Sequence, residues 1–214
     1  ISGDSDGLLT ITGGEVIPGK LEGTNFTGSL LVGHSTTGTL TEAYRNVGVG
    51  IGSLDAITRG DDNTALGYNS AGSITTGSSN TAIGNEAMLS GTGGEANSAL
   101  GYQALKVVTG NNNVGIGKLS GRNLTSSSGS VIIGAVEADS TTADRQLKIA
   151  GNDGSTTTTW ISGDSDGLLT ITGGEVIPGK LEGTNFTNSL LVGHSTTGTL
   201  NAAENNTAVG VKTM

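Results

Sequence analysis

The chain has 214 residues, of which 38 are Gly, 2 are Pro and none is Cys; 3% are aromatic and 33% hydrophobic. Without Cys there is no disulfide framework and no thiolate metal site. Ten basic against nineteen acidic residues give a formal net charge of −9, which argues against a phosphate-backbone partner, since that needs clustered Lys and Arg.

No apolar run approaches the ~18 residues of a membrane helix and no signal peptide is visible, so no membrane insertion is expected. An ordinary globular core of this size would use more Leu, Phe and Trp. Disorder is no better a reading, because only 14% of residues are charged and Val, Ile, Leu and Ala recur on a grid. The composition suits a regular stack in which small residues take the same place many times.

The chain opens with a connector, residues 1–32, containing "GDSDG" at 3–7 and "IPGK" further on. Residues 33–134 are a repeat stack. Its motif N-[TSV]-[AG]-[LIV]-G ends on Gly50, Gly67, Gly84, Gly101 and Gly117, and looser copies add Gly33 in "SLLVG" and Gly134 in "SVIIG". Successive spacings are 17, 17, 17, 17, 16 and 17 residues, too regular for accident. Residues 135–160 depart from the motif and read as a β-rich transition, with "RQLKIAG" alternating like a strand. Residues 161–192 then repeat the connector, and 193–214 restart the stack at Gly193 and Gly210. Residues 1–40 and 161–200 are identical except that Gly28 becomes Asn188. Because the chain begins at Ile1 and stops at Met214 inside a repeat, it is expected to be a window of a longer, fibre-like protein.

Within a repeat, "NTALGY" alternates: Ala65 and Gly67 share one strand face, and Thr64, Leu66 and Tyr68 the other. Small residues form one column (Ala65, Ala82, Ala99, each with its motif Gly) and aliphatic residues another (Leu66, Ile83, Leu100, Ile116). A second short strand, "NSAGSIT" or "QALKVVT", and a Gly/Ser/Asn turn would complete a coil of about 17 residues. The opening Asn suits a turn, and stacked Asn side chains would form a ladder. A coil this short has a thin interior, so a single chain leaves one column facing water. Identical neighbouring chains are the cheapest second wall, which points to a homotrimer.

The copies "NTALGYNSA", "NTAIGNEAM", "NSALGYQAL" and "NVGIGKLSG" resemble the repeats of trimeric autotransporter adhesin heads. The longer form with "GYQAL" and a Thr/Gly turn is more similar to repeats of bacteriophage tail fibres, marine phages especially. The resemblance covers roughly residues 28–134 and 188–214. It implies an all-β, left-handed parallel β-roll or β-solenoid of 16–17-residue repeats, forming an intertwined homotrimeric fibre with β-rich connectors. It also implies a structural shaft on a virion, supporting attachment to a host-surface receptor or glycan through a tip outside this window. The alternative is a trimeric adhesin or extracellular filament of a bacterial surface. A polysaccharide-degrading tailspike is a distant third. No receptor-binding residue carries over.

Catalytic and cofactor sites are not expected. His34 and His194 occupy one repeat position that other copies fill with Tyr68, Asn85 or Tyr102, so they read as surface, and no Ser–His–Asp set can be assembled. Asp61 and Asp62 are adjacent in a turn and would diverge, whereas a glycosidase needs two carboxylates converging within roughly 5–10 Å. The only metal candidates are Asp4, Asp6, Asp164 and Asp166 in the two "GDSDG" copies. A calcium ion there competes with plain Asp/Gly turn chemistry. "NVGVGIGS" and "GKLS" lack phosphate-loop spacing and fall in the repeat register. Asn25, Asn123, Asn185 and Asn205 stand in N-x-[ST] contexts. Trp160, the only Trp, reads first as a core plug where the stack changes cross-section, and second as a ligand platform.

Overall fold

The computed structural model describes residues 27–32 and 40–172 in full, and elsewhere the backbone of short strands. It has no helix among the described residues. The strands are β1 (Ser2–Gly3), β2 (Leu9–Thr10), β3 (Gly19–Leu21), β4 (Leu30–Val32), β5 (Val47–Val49), β6 (Thr64–Leu66), β7 (Thr81–Ile83) and β8 (Ser98–Leu100). They continue with β9 (Val114–Ile116), β10 (Val131–Ile133), β11 (Leu147–Asn152), β12 (Thr157–Gly163), β13 (Leu169–Ile171), β14 (Gly179–Leu181), β15 (Leu190–Val192) and β16 (Thr207–Val209). Two compact units divide the chain, Ile1–Thr170 and Ile171–Met214.

In the first unit β4 to β11 pair in parallel, each with the next in sequence. Every strand therefore stacks on the one a coil earlier, 16 or 17 residues away. The result is a β-solenoid. An antiparallel strand closes it at each end, β3 on β4 and β12 on β11, so the roll presents no long open edge. In the second unit β14 lies antiparallel on β15, and β15 parallel to β16. The "GKL" strand after "IP" is thus the outer strand beside the "LLV" strand in both copies of the connector.

Each coil carries one three-residue strand, not two. The second segment, expected to be a strand, is a run of turns closed by local bonds such as Ser70 N to Gly67 O (3.3 Å) and Ile74 N to Ala71 O (3.2 Å). The reason lies in its backbone. Columns one coil apart hold positive φ: Asn69, Glu86, Gln103 and Leu119 in one, Leu54, Ala71, Met88 and Leu105 in the next. A third column of Arg45, Asp62, Ser79, Ala96 and Asn112 turns the chain back into the strand. No β-branched residue stands in any of them, as the left-handed region demands. The turns still bond from coil to coil, as in Ala71 N to Ala87 O (2.8 Å) and Met88 N to Ala104 O (3.0 Å).

The motif glycines correct one expectation. Gly50, Gly67, Gly84, Gly101, Gly117 and Gly134 all have φ between +106° and +137°. They do not continue the strand alternation, as the placing of Gly67 beside Ala65 assumed, and none belongs to the small column. Each is half-buried at a corner just after its strand. The corners stack so closely that side chains are excluded. A Cβ at Gly50 would stand 2.4 Å from the Gly67 carbonyl oxygen, one at Gly84 2.4 Å from that of Gly101, and one at Gly117 2.9 Å from that of Gly134. Gly33, Gly193 and Gly210 lie outside the described residues.

The interior holds the small column, with Ala65, Ala82 and Ala99 at most 1% exposed. Beside it run Leu54, Ala71, Met88 and Leu105, and then Ile57, Ile74, Val108 and Leu124, all buried. Volumes compensate between coils. Gly48 is small because a Cβ there would meet the Leu31 side chain at 2.4 Å, and Gly115 because one would meet Leu105 at 2.7 Å.

The Asn ladder is present and fully buried. Asn63, Asn80, Asn97 and Asn113 each donate Nδ2 to the Oδ1 of the Asn one coil earlier, at 3.0, 3.1, 3.3 and 3.0 Å. The same Nδ2 groups donate to the carbonyls of Gly77, Gly94, Gly110 and Ser127. Each Oδ1 also accepts the next backbone N–H. Ser29 starts the ladder by accepting Asn46 N at 2.7 Å, and Ser130 ends it by donating its N–H to Asn113 Oδ1. The register continues past Gly134: Gln146 N donates to Ser130 Oγ (3.0 Å), and β11 pairs in parallel with β10. The start of the transition is therefore one further coil.

Asn80→Ala should cost about 3 kcal/mol or more, since it strands the Gly94 carbonyl and two groups of Asn97 inside the roll. Gly84→Ala should cost at least as much, through backbone strain and the collision with Gly101. Ser79→Gly, at an exposed positive-φ site, should stay within about 0.5 kcal/mol. Chemical denaturation of the three variants measures these values.

Candidate functional site

With the small column inside, the aliphatic column faces out. Val49, Leu66, Leu100 and Ile116 are 36–49% exposed, and Ile83 is half-buried. The strand position two before it holds Val47, Thr64, Thr81, Ser98, Val114 and Val131; the residue after the motif Gly is Ile51, Tyr68, Asn85, Tyr102, Lys118 or Ala135. Ile51, Tyr68 and Tyr102 are 68%, 50% and 44% exposed. Lys118 is the only charged side chain in these three rows. The result is a stripe with an aliphatic centre and mixed flanks that repeats with every coil, about 4.8 Å apart. An exposed strip with this aliphatic centre is a candidate interaction surface.

Across β5 to β10 charge is kept off the strands and on the turns, where it ties coils together. Arg45 Nε donates to Asp62 Oδ1 at 2.6 Å, Lys106 Nζ to Glu86 Oε2 at 2.8 Å, and Arg122 Nη2 to Glu137 Oε1 at 2.7 Å. Lys148 pairs with Asp139. The hydrogen bond from Arg45 holds the Asp62 carboxyl below its ordinary range, and Asp62 in turn raises the guanidinium. Lys106 and Gln103 lower Glu86 in the same way. A polar column runs beside them: Asp61, Ser78, Asn111, Ser128 and Asp144 each accept a backbone N–H from the previous coil. Ser78 is accordingly a coil-to-coil acceptor as well as a turn residue.

The residues weighed for chemistry fall into this scheme. Asp61 accepts Tyr44 N while Asp62 faces Arg45, so both carboxylates are engaged in stacking. "NVGVGIGS" and "GKLS" are coil corners, built on Gly50 and Gly117. Asp164 Oδ1 accepts the N–H groups of Asp166 and Leu168 at 3.0 Å each, closing its own turn. Among the described residues no three His, Cys, Asp or Glu gather to hold a metal. Asn123 is tied on both sides to Ala138, through Nδ2 to O and through Oδ1 from N, at 2.9 Å each. Asp4, Asp6, His34, His194, Asn25, Asn185 and Asn205 lie outside the described residues. Trp160 is not a core plug: it is 52% exposed. Among the described residues no helix is long and apolar enough to cross a membrane.

No protein-family model, curated protein or solved structure matches this chain.

The lowered carboxyls give stability that is present at neutral pH and lost as pH falls through their folded values, below the ordinary carboxylate range. The thermal midpoints of the native chain and of Glu86→Gln should therefore differ near neutral pH. They should converge once the pH falls below the lowered range of the Glu86 carboxyl. Calorimetry across that range measures the convergence.

Proposed function

We propose that the chain is a shaft segment of a homotrimeric surface-attachment fibre, a phage tail fibre in the first instance. The observation that carries this reading is the stripe with the coil period, which holds a single charge, Lys118. A partner covering its whole length must share that period, and another copy of the same roll does. The stripe's flanks differ, Thr and Val on one side, Ile and Tyr on the other. Three copies around one axis would each set the Thr/Val flank against a neighbour's Ile/Tyr flank, a heterologous contact that closes into a ring. The central Leu/Ile column then faces the axis, and burial is worth about 25 cal/mol per Å² of apolar surface removed from water.

The 160-residue recurrence of connector and roll, the acidic surface and the resemblance of the repeats to tail-fibre sequence support the biological half of the reading. In it the shaft gives reach and stiffness, and a receptor-binding tip lies elsewhere in the fibre. A bacterial cell-surface adhesin using the same roll is the runner-up. Antibodies to the chain should decorate tail fibres of intact virions in electron micrographs. Decoration of a bacterial envelope with no virion label would select the runner-up.

In sedimentation velocity the native chain should run at three times its 21.1 kDa mass. Leu66→Glu/Leu100→Glu should break that assembly, because two rings of charge would be buried without partners. Thr76→Glu, in an exposed turn, should leave it intact. A folded, monodisperse monomer would overturn the trimer, and so would an unchanged oligomer for the double variant.

A further inference from the structure

Beyond the roll, one side chain is displayed in a way that stacking does not explain. In the β11–β12 hairpin Ile149 pairs with Ile161, but Ala150 pairs with Thr159. Trp160 is the extra residue of a β-bulge, a device that re-aims a side chain out of the ladder. Its seat is Gly151, where a Cβ would stand 2.5 Å from Trp160 Cζ2 and 2.8 Å from Cη2. Only Gly allows the indole to lie there. Even so, half of the Trp160 surface remains open.

Around the ring a shallow depression of about 500 Å³ is lined by Gly151, Asn152, Asp153, Thr156, Thr158 and Trp160. Its polar groups are held by the turn. Asn152 donates Nδ2 to Thr157 Oγ1 at 2.6 Å and accepts Gly154 N at 2.8 Å. Asp153 Oδ1 accepts Ser155 N, Ser155 Oγ and Thr156 N at 2.8–2.9 Å, so Oδ2 is the oxygen an incoming hydroxyl would meet. A carboxylate, an amide and two threonine hydroxyls thus border an exposed aromatic, with no Lys or Arg among them.

We propose that this hairpin is a binding site for neutral saccharides, with Trp160 as its platform. A pyranose has an apolar C–H face that covers an aromatic ring and a rim of hydroxyls that needs donors and acceptors. The depression supplies both. Without a cation it offers nothing to a uronate or sialate. The inference does not rest on the fibre reading, since the hairpin and its bulge belong to a single chain.

Because Trp160 is the only Trp, its fluorescence reports on this site alone. The full chain would be titrated with maltotriose, mannotriose and raffinose, with tri-galacturonate as the charged control. At least one neutral trisaccharide should give a saturable emission change with a half-point of roughly 1–10 mM, and should protect the ring from acrylamide. Saturation-transfer NMR should show that binding lost in Trp160→Ala and weakened roughly threefold to tenfold in Thr158→Val. Circular dichroism of both variants should match the native chain, and Trp160→Phe should retain part of the binding. Three results would each overturn the proposal: no saturable change with any neutral trisaccharide, equal binding of tri-galacturonate, or a Trp160 already shielded from acrylamide without sugar. The last would place the ring against another copy of the chain.

Discussion

A thin roll has no depth in which to hide a polar group, so a buried donor or acceptor that its own turn does not satisfy must find its partner one coil above or below. The Asn column is where that constraint is tightest. Each carboxamide has donors and acceptors on both sides of one carbon, and a stack of identical carboxamides satisfies all of them only when the coils are in register. Among the described residues no buried side-chain N or O lacks a partner. The serines at 29 and 130 take the ladder's ends, where no further Asn follows. A 16-residue coil does not break the ladder, because its missing residue falls in the turn between Thr109 and Asn111. The ladder bond there changes only from a carbonyl 14 residues on to one 13 on.

Once the register is held, the remaining residues sort by which side of the wall they occupy. Inside, Ala, Gly and a few Leu, Ile and Met side chains trade volume between neighbouring coils. Corners are left to Gly, and charges sit on turns where Arg45, Lys106 and Arg122 bind carboxylates from adjacent coils. Outside, the strands carry Leu, Ile, Val and Thr. That division leaves an apolar face on an otherwise acidic molecule, and the proposed trimer is what such a face calls for.

Much of the roll was legible in the sequence because a repeat multiplies a weak signal. One "NTALG" is an ambiguous fragment, but five copies of its motif spaced by 16 or 17 residues identify a coil, its Asn column and its two side-chain columns. The glycines that mark the period, Gly50 to Gly117, were legible as a column but not as corners, since alternation alone sets them beside the alanines. The second segment of the coil misled, since "NSAGSIT" and "QALKVVT" alternate like strands. Left-handed Asn69, Ala71, Gln103 and Leu105 make turns of them, and a non-glycine residue at positive φ leaves no reliable mark in a single sequence. The extra coil at Gln146 was hidden for a related reason: Gln replaces Asn, Lys148 stands in the small column, and only the pairing of β11 with β10 reveals it. Trp160 was misplaced because a bulge is a matter of pairing register, which residue types alone do not encode.

The central claim is that one carboxamide column, sealed inside the wall, holds the coils in register. Side-chain amide hydrogen exchange, followed by NMR on the ¹⁵N-labelled chain, tests it most directly. The account predicts that the Nδ2 protons of Asn63, Asn80 and Asn97 exchange orders of magnitude more slowly than those of Asn85, which lies exposed on the outer face. Exchange of the ladder carboxamides as fast as that of Asn85 would contradict it.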